Sequence, residues 1–160
     1  MIERKRDARC ADSEIVNTRI FDAARDTVFN AFADPTLLAK WWGPAQYQNA
    51  ISQFDLRPQG TWLYVMHAPD GTDYPSESRF VAVDPPSRVV LEHIRPAHHF
   101  FLTMDYESIA SDKTRLTWRM TFEPGMGDQV REFLSAANEQ NFDRLAAVLS
   151  ANHVGKAEVP

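Results

Sequence analysis

The sequence predicts an α+β fold in which a strongly curved antiparallel sheet of about six to seven strands wraps around one long C-terminal helix. The first observation is an alternation of apolar and polar residues in two segments, which is typical of strands with one buried and one wet face. The apolar positions are Phe100, Leu102, Met104 and Tyr106, then Leu116, Trp118, Met120 and Phe122. The second observation is a proline-free stretch from Met126 to Ser150, which would form a helix about 36 Å long. A sheet and a helix that each carry one apolar side can bury both by packing together.

The first third of the chain predicts one strand followed by two short helices. Their ranges are residues 14–21, 24–33 and 35–41. Asp34 can cap the second helix, and Pro35 suits its first turn. Gly43-Pro44 ends it. Trp41 and Trp42 are adjacent at this end, and two adjacent residues of a short helix cannot both face the core. One of them is therefore expected to point at a cavity or at a partner.

The middle of the chain predicts six more strands, separated by turns rich in proline, glycine and aspartate. Their ranges are residues 50–56, 61–67, 73–83, 88–95, 99–109 and 114–122. With no linker or repeat between them, these strands and the long helix are expected to form a single domain over residues 14–151. Residues 1–13 are expected to be a flexible extension, and residues 152–160 a tail.

Composition limits the classes of function. The chain has 160 residues and a net charge of −5, which argues against nucleic-acid binding driven by charge. No apolar run approaches the length of a membrane-spanning helix, and the N-terminus lacks the apolar core of a signal peptide. Cys10 is the single cysteine, so no disulfide can form within the chain. A cytoplasmic protein without membrane insertion is expected.

The long helix carries two amides on its apolar side. That side consists of Val130, Phe133, Leu134, Ala137, Leu145 and Val148, with Phe142 and Leu149 on one margin. At about 100° per residue, Asn141 falls near the middle of this side and Asn138 falls between Leu145 and Leu149. A buried amide needs a hydrogen-bond partner. Either both amides bond to protein backbone or water, or this face borders a cavity with polar contents.

Aromatic and apolar residues on the inner faces are candidates for binding a small molecule, because such side chains line most pockets. The predicted ligand-binding residues are Trp41, Trp42, Trp62, Tyr64, Phe100, Leu102, Met104, Trp118, Phe133, Asn138 and Asn141. Filling of an ordinary core is the alternative interpretation of each ring.

Glu92 and His93 are weak candidates for acid–base catalysis. They are neighbours on one predicted strand, so one of them must face the concave side. A carboxylate or imidazole in an apolar cavity could exchange protons with a substrate. The alternative is a surface ion pair of Glu92 with Arg79 or Arg95. The adjacent His98 and His99 would point to opposite faces and match no metal-binding motif, so neither a metal nor another cofactor is predicted.

Several short motifs, in this order, resemble one branch of the START-like (SRPBCC, helix-grip) superfamily, the one that is similar to the activator of the 90-kDa heat-shock protein ATPase. They include Asp34-Pro35, Leu38-Ala39-Lys40-Trp41-Trp42-Gly43-Pro44, Asp55-Leu56-Arg57-Pro58-Gln59-Gly60-Thr61-Trp62, Pro69-Asp70-Gly71-Thr72, Val83-Asp84-Pro85-Pro86-Ser87-Arg88, Glu92-His93, His99-Phe100, Thr114-Arg115-Leu116-Thr117-Trp118 and Asn138-Glu139-Gln140-Asn141 with Asp143-Arg144-Leu145. Gln59 departs from the pattern, since many members have a second glycine there. The resemblance implies a helix-grip fold with a cavity between sheet and long helix, but no single activity.

Three hypotheses about function follow. The first is binding of an apolar or amphipathic small molecule in the cavity. The second is a cyclase- or hydrolase-like enzyme that uses Glu92 or His93. The third is a module that binds a chaperone, by analogy with the relatives. A homodimer is compatible with a sheet that has edges to protect.

Overall fold

The structure is a computed structural model that describes residues 13–96, 99–123, 125 and 127–158, with side chains as far as residue 151. The predictions for Cys10, His98 and the segment 1–12 lie outside the described residues. Within them, none of the helices is long and apolar enough to cross a lipid bilayer.

Seven strands form one antiparallel sheet, and three helices pack against it. The strands are β1 (Glu14–Phe21), β2 (Gln48–Phe54), β3 (Thr61–His67), β4 (Asp73–Asp84), β5 (Arg88–Arg95), β6 (Phe100–Ala110) and β7 (Lys113–Phe122). The helices are α1 (Arg25–Ala33), α2 (Pro35–Trp41) and α3 (Asp128–Glu158). The order across the sheet is β1-β7-β6-β5-β4-β3-β2, so β2 to β7 form a meander and β1 pairs with β7. This arrangement confirms the predicted α+β helix-grip fold.

The predicted alternation in β6 and β7 is confirmed. Leu102, Met104 and Tyr106 of β6 are buried, and so are the four apolar positions of β7 from Leu116 to Phe122. The opposite faces carry polar pairs, such as Arg115 with Glu107 at 2.8 Å. The sheet therefore has one dry inner face, which the helices cover.

The buried side of α3 differs from the predicted side. Phe142, Leu145 and Leu149 are buried, whereas Phe133 is 68% exposed. Phe133 lies roughly 120° around the helix from Leu145, at 100° per residue. The helix turns its Phe142–Leu149 margin toward the sheet, and Asn138 bonds there to Asn17 of β1. The prediction that Phe133 lies on the buried side of the helix was therefore wrong, and its role in ligand binding stays a prediction.

Helix α3 continues to Glu158, whereas the sequence pattern ends the apolar repeat near Ser150. Strand β2 lies two residues earlier than predicted. The other elements agree with their predicted ranges within one residue at each end.

The two short helices deliver both neighbouring tryptophans to the interior. The Asp34 carboxylate caps α2 by accepting a hydrogen bond from the Thr36 backbone N–H at 2.9 Å. Helix α2 ends at Trp41, and Trp42 follows in an extended conformation with φ −68° and ψ 136°. This change of backbone conformation lets both side chains point inward, so Trp41 and Trp42 are both buried. The expectation that only one could face the core was wrong.

Candidate functional site

The four tryptophans of the chain form one cluster between the inner face of the sheet and the helices. The ring of Trp42 is central: its centroid lies 5.5 Å from Trp41, 5.0 Å from Trp62 and 5.3 Å from Trp118. Trp62 comes from β3 and Trp118 from β7, which are separated by three strands in the sheet order. Curvature of the sheet brings both rings to Trp42.

Phenylalanine rings extend the cluster on two sides. Phe32 of α1 contacts both Trp42 and Trp62 in edge-to-face geometry, at 5.8 and 5.6 Å. On the other side, Phe142 of α3 contacts Trp118 at 5.0 Å. Edge-to-face pairs are the preferred arrangement of aromatic rings and add to the stability that burial gives. Three predicted ligand residues, Trp42, Trp62 and Trp118, thus also have ordinary core contacts.

The polar atoms of this interior are unevenly satisfied. The Trp41 Nε1–H donates to the Ala31 carbonyl at 3.0 Å. By contrast, the Nε1 atoms of Trp62 and Trp118 are buried without a hydrogen-bond partner among the described protein atoms. Most buried polar groups in proteins are paired. Two unpaired N–H groups that flank the same ring, Trp42, therefore need an explanation.

Tyr64 adds a further hydroxyl on the same side of the interior. Its ring stacks on Trp62 at a centroid distance of 4.4 Å. Burial raises the pKa of Tyr64 above its ordinary value, and polar contacts with the side chains of Trp42, Ser76 and Ser78 partly offset this rise. Trp62 and Ser78 are also direct neighbours in the pairing of β3 with β4. Strands β3 and β4 therefore place a polar patch inside the aromatic cluster.

Charged side chains are absent from the buried set of the described residues. Its polar members are Ser13, Asn17, Ser76, Ser78, Thr114, Asn138 and Asn141. The interior thus offers uncharged donors and acceptors only.

Asn141 and Arg144 hold the segment that follows Trp42, which we call the 42–47 loop. The Arg144 guanidinium donates to five backbone carbonyls, those of Lys40, Trp42, Gly43, Pro44 and Tyr47, at 2.8–3.1 Å. Burial lowers the pKa of Arg144, which has these carbonyls as partners instead of a carboxylate. Asn141 makes two hydrogen bonds with the Gly43 backbone, each 3.1 Å long. Helix α3 therefore fixes the backbone that carries Trp42.

Asn138 is also paired within the protein. Its Nδ2 donates to Asn17 Oδ1 at 3.0 Å, and Asn17 Nδ2 donates to Glu139 Oε2 at 2.8 Å. This buried network joins β1 to α3. Asn141 thus bonds to protein backbone, which is the first of the two alternatives, whereas Asn138 bonds to a side chain, which neither alternative named. Binding of a ligand by these two amides stays a prediction.

Glu92 and His93 lie on opposite faces of β5. Glu92 is on the outer face, where its Oε2 lies 2.7 Å from His99 Nε2. His99 is thus its partner, rather than Arg79 or Arg95. His93 is on the inner face near the end of the strand, where its ring stacks on Phe100 at 4.6 Å and its Nε2 lies 2.9 Å from the Pro96 carbonyl oxygen. No cluster of three or more histidine, cysteine or acidic side chains placed to hold a metal occurs among the described residues.

Two of the clefts on the described surface exceed about 500 Å³, which is large enough for a small molecule. One, of about 520 Å³, lies beside β5 and β6 and includes Arg25, Arg88 and Asp105. The other, of about 530 Å³, lies between β1 and the end of α3. Its lining residues are Arg19, Ile20, Phe21, Asp22, Asp112, Ala146, Leu149 and Ser150. None of the predicted ligand-binding residues lines either of these two clefts.

The structure also identifies interior residues that the sequence analysis did not select. Ser76 and Ser78 share the inner face of β4 with Phe80, and their period of two is visible in the sequence. Arg144 follows Asn141 by three residues, which places both on neighbouring positions of a helix. Both signals were present, but a serine in a strand and an arginine in a helix are usually solvent-exposed.

Comparisons with known proteins agree with this architecture. The family model described as activator of Hsp90 ATPase homolog 1-like protein matches residues 22–150. A comparison with curated proteins found no significant match.

Several solved structures share the fold at low sequence identity. A solution structure from Arthrobacter aurescens has a TM-score of 0.80 and 22% identity, with 88% of each chain covered. A crystal structure of the protein NE0264 from Nitrosomonas europaea has a TM-score of 0.78 and 20% identity, covering 90% of this chain and 98% of that one. The AHSA1 protein from Silicibacter pomeroyi has a TM-score of 0.72 and 21% identity, covering 88% and 100%. Because the family model matches most of the chain, this protein belongs to the activator of Hsp90 ATPase homolog 1-like family, within the START-like (SRPBCC) superfamily.

Proposed function

We propose that this protein binds an apolar or amphipathic small molecule on the inner side of the sheet, next to Trp42. The observation that carries the proposal is the pair of buried, unpartnered N–H groups of Trp62 and Trp118. Each such group costs about 1–3 kcal/mol if it stays unpaired. A core that served stability alone would gain from replacing these groups with apolar ones. A ligand that supplies partners offsets the cost.

The cleft between β1 and α3 supports a route to this interior. Phe21 lines the cleft and packs edge-on against Phe142 at 5.8 Å. Phe142 in turn contacts Trp118. Two aromatic side chains thus stand between the cleft and the tryptophan cluster, and rotation of such rings is a modest rearrangement compared with opening the sheet.

Membership in the START-like superfamily also supports ligand binding, since this family is known for it. The cyclase- or hydrolase-like alternative has less support. Glu92 faces outward toward His99, and His93, on the inner face, lies near the end of the strand against Phe100 and the Pro96 carbonyl. The chaperone-binding and homodimer alternatives have no comparable observation in their favour among the described residues. We also infer a cytoplasmic setting, on the basis of the single cysteine.

Tryptophan fluorescence provides a direct test, because all four tryptophans lie in the cluster. The probe is N-phenyl-1-naphthylamine, which is uncharged and accepts excitation energy from tryptophan. We expect saturable quenching of the tryptophan emission at one probe per chain, together with a higher melting temperature. The variant Phe133→Ser controls for binding to the exposed ring on α3 and should leave the titration unchanged. Absence of saturable quenching, or its loss in Phe133→Ser, would contradict binding in the interior.

A further inference from the structure

We infer that the molecule bound next to Trp42 is uncharged and flat, and that it carries at least one acceptor oxygen of the carbonyl class. This inference rests on the proposed function and adds the chemical class of the ligand. It follows from three properties of the interior: what its free polar atoms can do, which charges it lacks, and the shape of its walls.

The free polar atoms require an acceptor. An indole N–H can donate a hydrogen bond but cannot accept one, so Trp62 and Trp118 can be satisfied only by a lone pair. Both indole rings contact Trp42, at 5.0 and 5.3 Å, so both donors belong to the same part of the interior.

The charge of the interior excludes an ionised acceptor. No Lys, Arg or His belongs to the buried set of the described residues. The guanidinium of Arg144, which lies beside the Trp42 backbone, already donates to five backbone carbonyls. Moving a carboxylate into a site without a cation costs several kcal/mol, more than two neutral donors return. A ketone, ester, amide or quinone oxygen accepts the same hydrogen bonds without that cost.

The walls favour a flat molecule. Trp62 and Tyr64 stack with an interplanar angle of 25°, and Trp62 and Phe80 are nearly parallel at 3°. Parallel ring faces favour a planar aromatic or conjugated guest, which can continue the stack in the offset geometry that aromatic pairs prefer. A flexible aliphatic chain would lose more conformational entropy on binding there.

Three naphthalene probes of nearly equal shape separate these properties. They are 2-acetylnaphthalene, which carries a ketone; 2-isopropenylnaphthalene, in which a methylene group replaces the ketone oxygen; and 2-naphthoate, in which an ionised oxygen replaces the methyl group. Isothermal titration calorimetry on the full chain gives the three dissociation constants. We expect the ketone to bind about tenfold more tightly than the alkene, which corresponds to one or two hydrogen bonds. The carboxylate should bind more weakly than the ketone.

Three tryptophan variants locate the donors. Trp62→Phe and Trp118→Phe keep an aromatic ring but remove the free N–H, so each should lower the ketone-to-alkene ratio about three- to tenfold. Trp41→Phe is the matched control, since the Trp41 N–H already donates to the Ala31 carbonyl. It should change the affinities for ketone and alkene by the same factor and leave their ratio intact.

The outcomes are distinct. Equal binding of ketone and alkene would leave the proposed function standing and overturn the acceptor requirement. Tightest binding of 2-naphthoate would overturn the claim that the ligand is uncharged. Failure of all three probes to bind would contradict the proposed function as well. The wild-type comparison stands by itself if a tryptophan variant fails to fold.

Discussion

The side-chain amide of Asn141 is paired with the backbone of Gly43 through two hydrogen bonds. Asn141 Oδ1 accepts from the Gly43 N–H at 3.1 Å, and Asn141 Nδ2 donates to the Gly43 carbonyl at 3.1 Å. Gly43 has φ of 96°, a left-handed conformation that favours glycine. A Cβ at this position would overlap the side chain of Met66. Helix α3 and the 42–47 loop are therefore joined by a contact that specifies both residues.

Replacing Asn141 with aspartate tests this pairing. A carboxylate still accepts from the Gly43 N–H but cannot donate to the Gly43 carbonyl, and it brings a charge into a buried position. We expect Asn141→Asp to lower the free energy of unfolding by about 2–3 kcal/mol, as measured by urea denaturation. Gln140→Ala is the control, because Gln140 is exposed and accepts a single hydrogen bond from Ala45 N–H at 3.0 Å. If both variants lost the same free energy of unfolding, the pairing with Gly43 would contribute no more to stability than an exposed hydrogen bond does.

Arg144 provides a second test of the same junction. Its planar guanidinium reaches five carbonyls of residues 40–47 at once, and lysine has only three donors on one atom. We expect Arg144→Lys to cost about 2 kcal/mol of unfolding free energy, because several carbonyls lose their partner. Arg115→Lys, in an exposed pair with Glu107, should change stability by well under 1 kcal/mol. A negligible effect of Arg144→Lys would mean that water replaces the guanidinium at little cost.

The fold could be predicted because its signals are periodic and repeated. The alternation along β6 and β7 indicates one dry face, and the turn residues between segments separate the strands. Each of these patterns extends over many residues, so one atypical residue does not change the prediction. The order of elements then leaves few ways to cover the sheet, and the C-terminal helix is the only long one that the sequence offers.

The site was harder to predict because it depends on single pairings. A helical wheel places Asn141 and Phe133 on the same apolar side, but only the position of the Gly43 backbone decides which of them is buried. Likewise, Trp41 and Trp42 both face inward because α2 ends between them. The free N–H groups of Trp62 and Trp118 depend on what surrounds each ring, and a sequence pattern does not contain that information.

Gln59 offers a stabilising substitution. Its φ of 68° is in the left-handed region, which costs a residue with a Cβ about 1 kcal/mol or more. We expect Gln59→Gly to raise the free energy of unfolding by about 0.5–1 kcal/mol, and the melting temperature by roughly 1–4 °C. Gln59→Ala keeps the Cβ and serves as the control, with no gain expected. An equal gain in both variants would point to the loss of the glutamine side chain instead of relief of backbone strain.

Two buried phenols predict a loss of stability in alkali. Burial raises the pKa of both Tyr64 and Tyr106 above the ordinary value of 10.0. The unfolded chain therefore releases these protons at lower pH than the folded chain does. The free energy of unfolding should be unaffected by them below about pH 9 and should fall above about pH 10, by up to about 1.4 kcal/mol per pH unit for each phenol. Urea denaturation at several pH values measures this slope.

Removing one phenol separates its contribution to the alkaline loss of stability from the contributions of other titrating groups. Tyr106→Phe should reduce the alkaline slope while leaving the stability at neutral pH little changed, since the Tyr106 hydroxyl has only a weak contact of 4.0 Å with Met104 Sδ. An unchanged slope in this variant would mean that Tyr106 ionises as readily in the folded protein as in the unfolded chain.

Trp42→Ala tests whether the centre of the cluster can hold a guest. Removing this ring separates Trp62 from Trp118 and leaves a space lined by aromatic side chains, at a cost of about 3–5 kcal/mol in unfolding free energy. Cavities of this kind bind small aromatic molecules, so millimolar indole should restore part of the lost melting temperature. Wild type and Phe133→Ala are the comparisons, because both keep the Trp42 ring and gain no additional space in the interior. A larger rise in melting temperature in Trp42→Ala than in the other two proteins would place an aromatic guest in the space that the Trp42 ring leaves, whereas equal rises in all three proteins would mean that indole does not use that space.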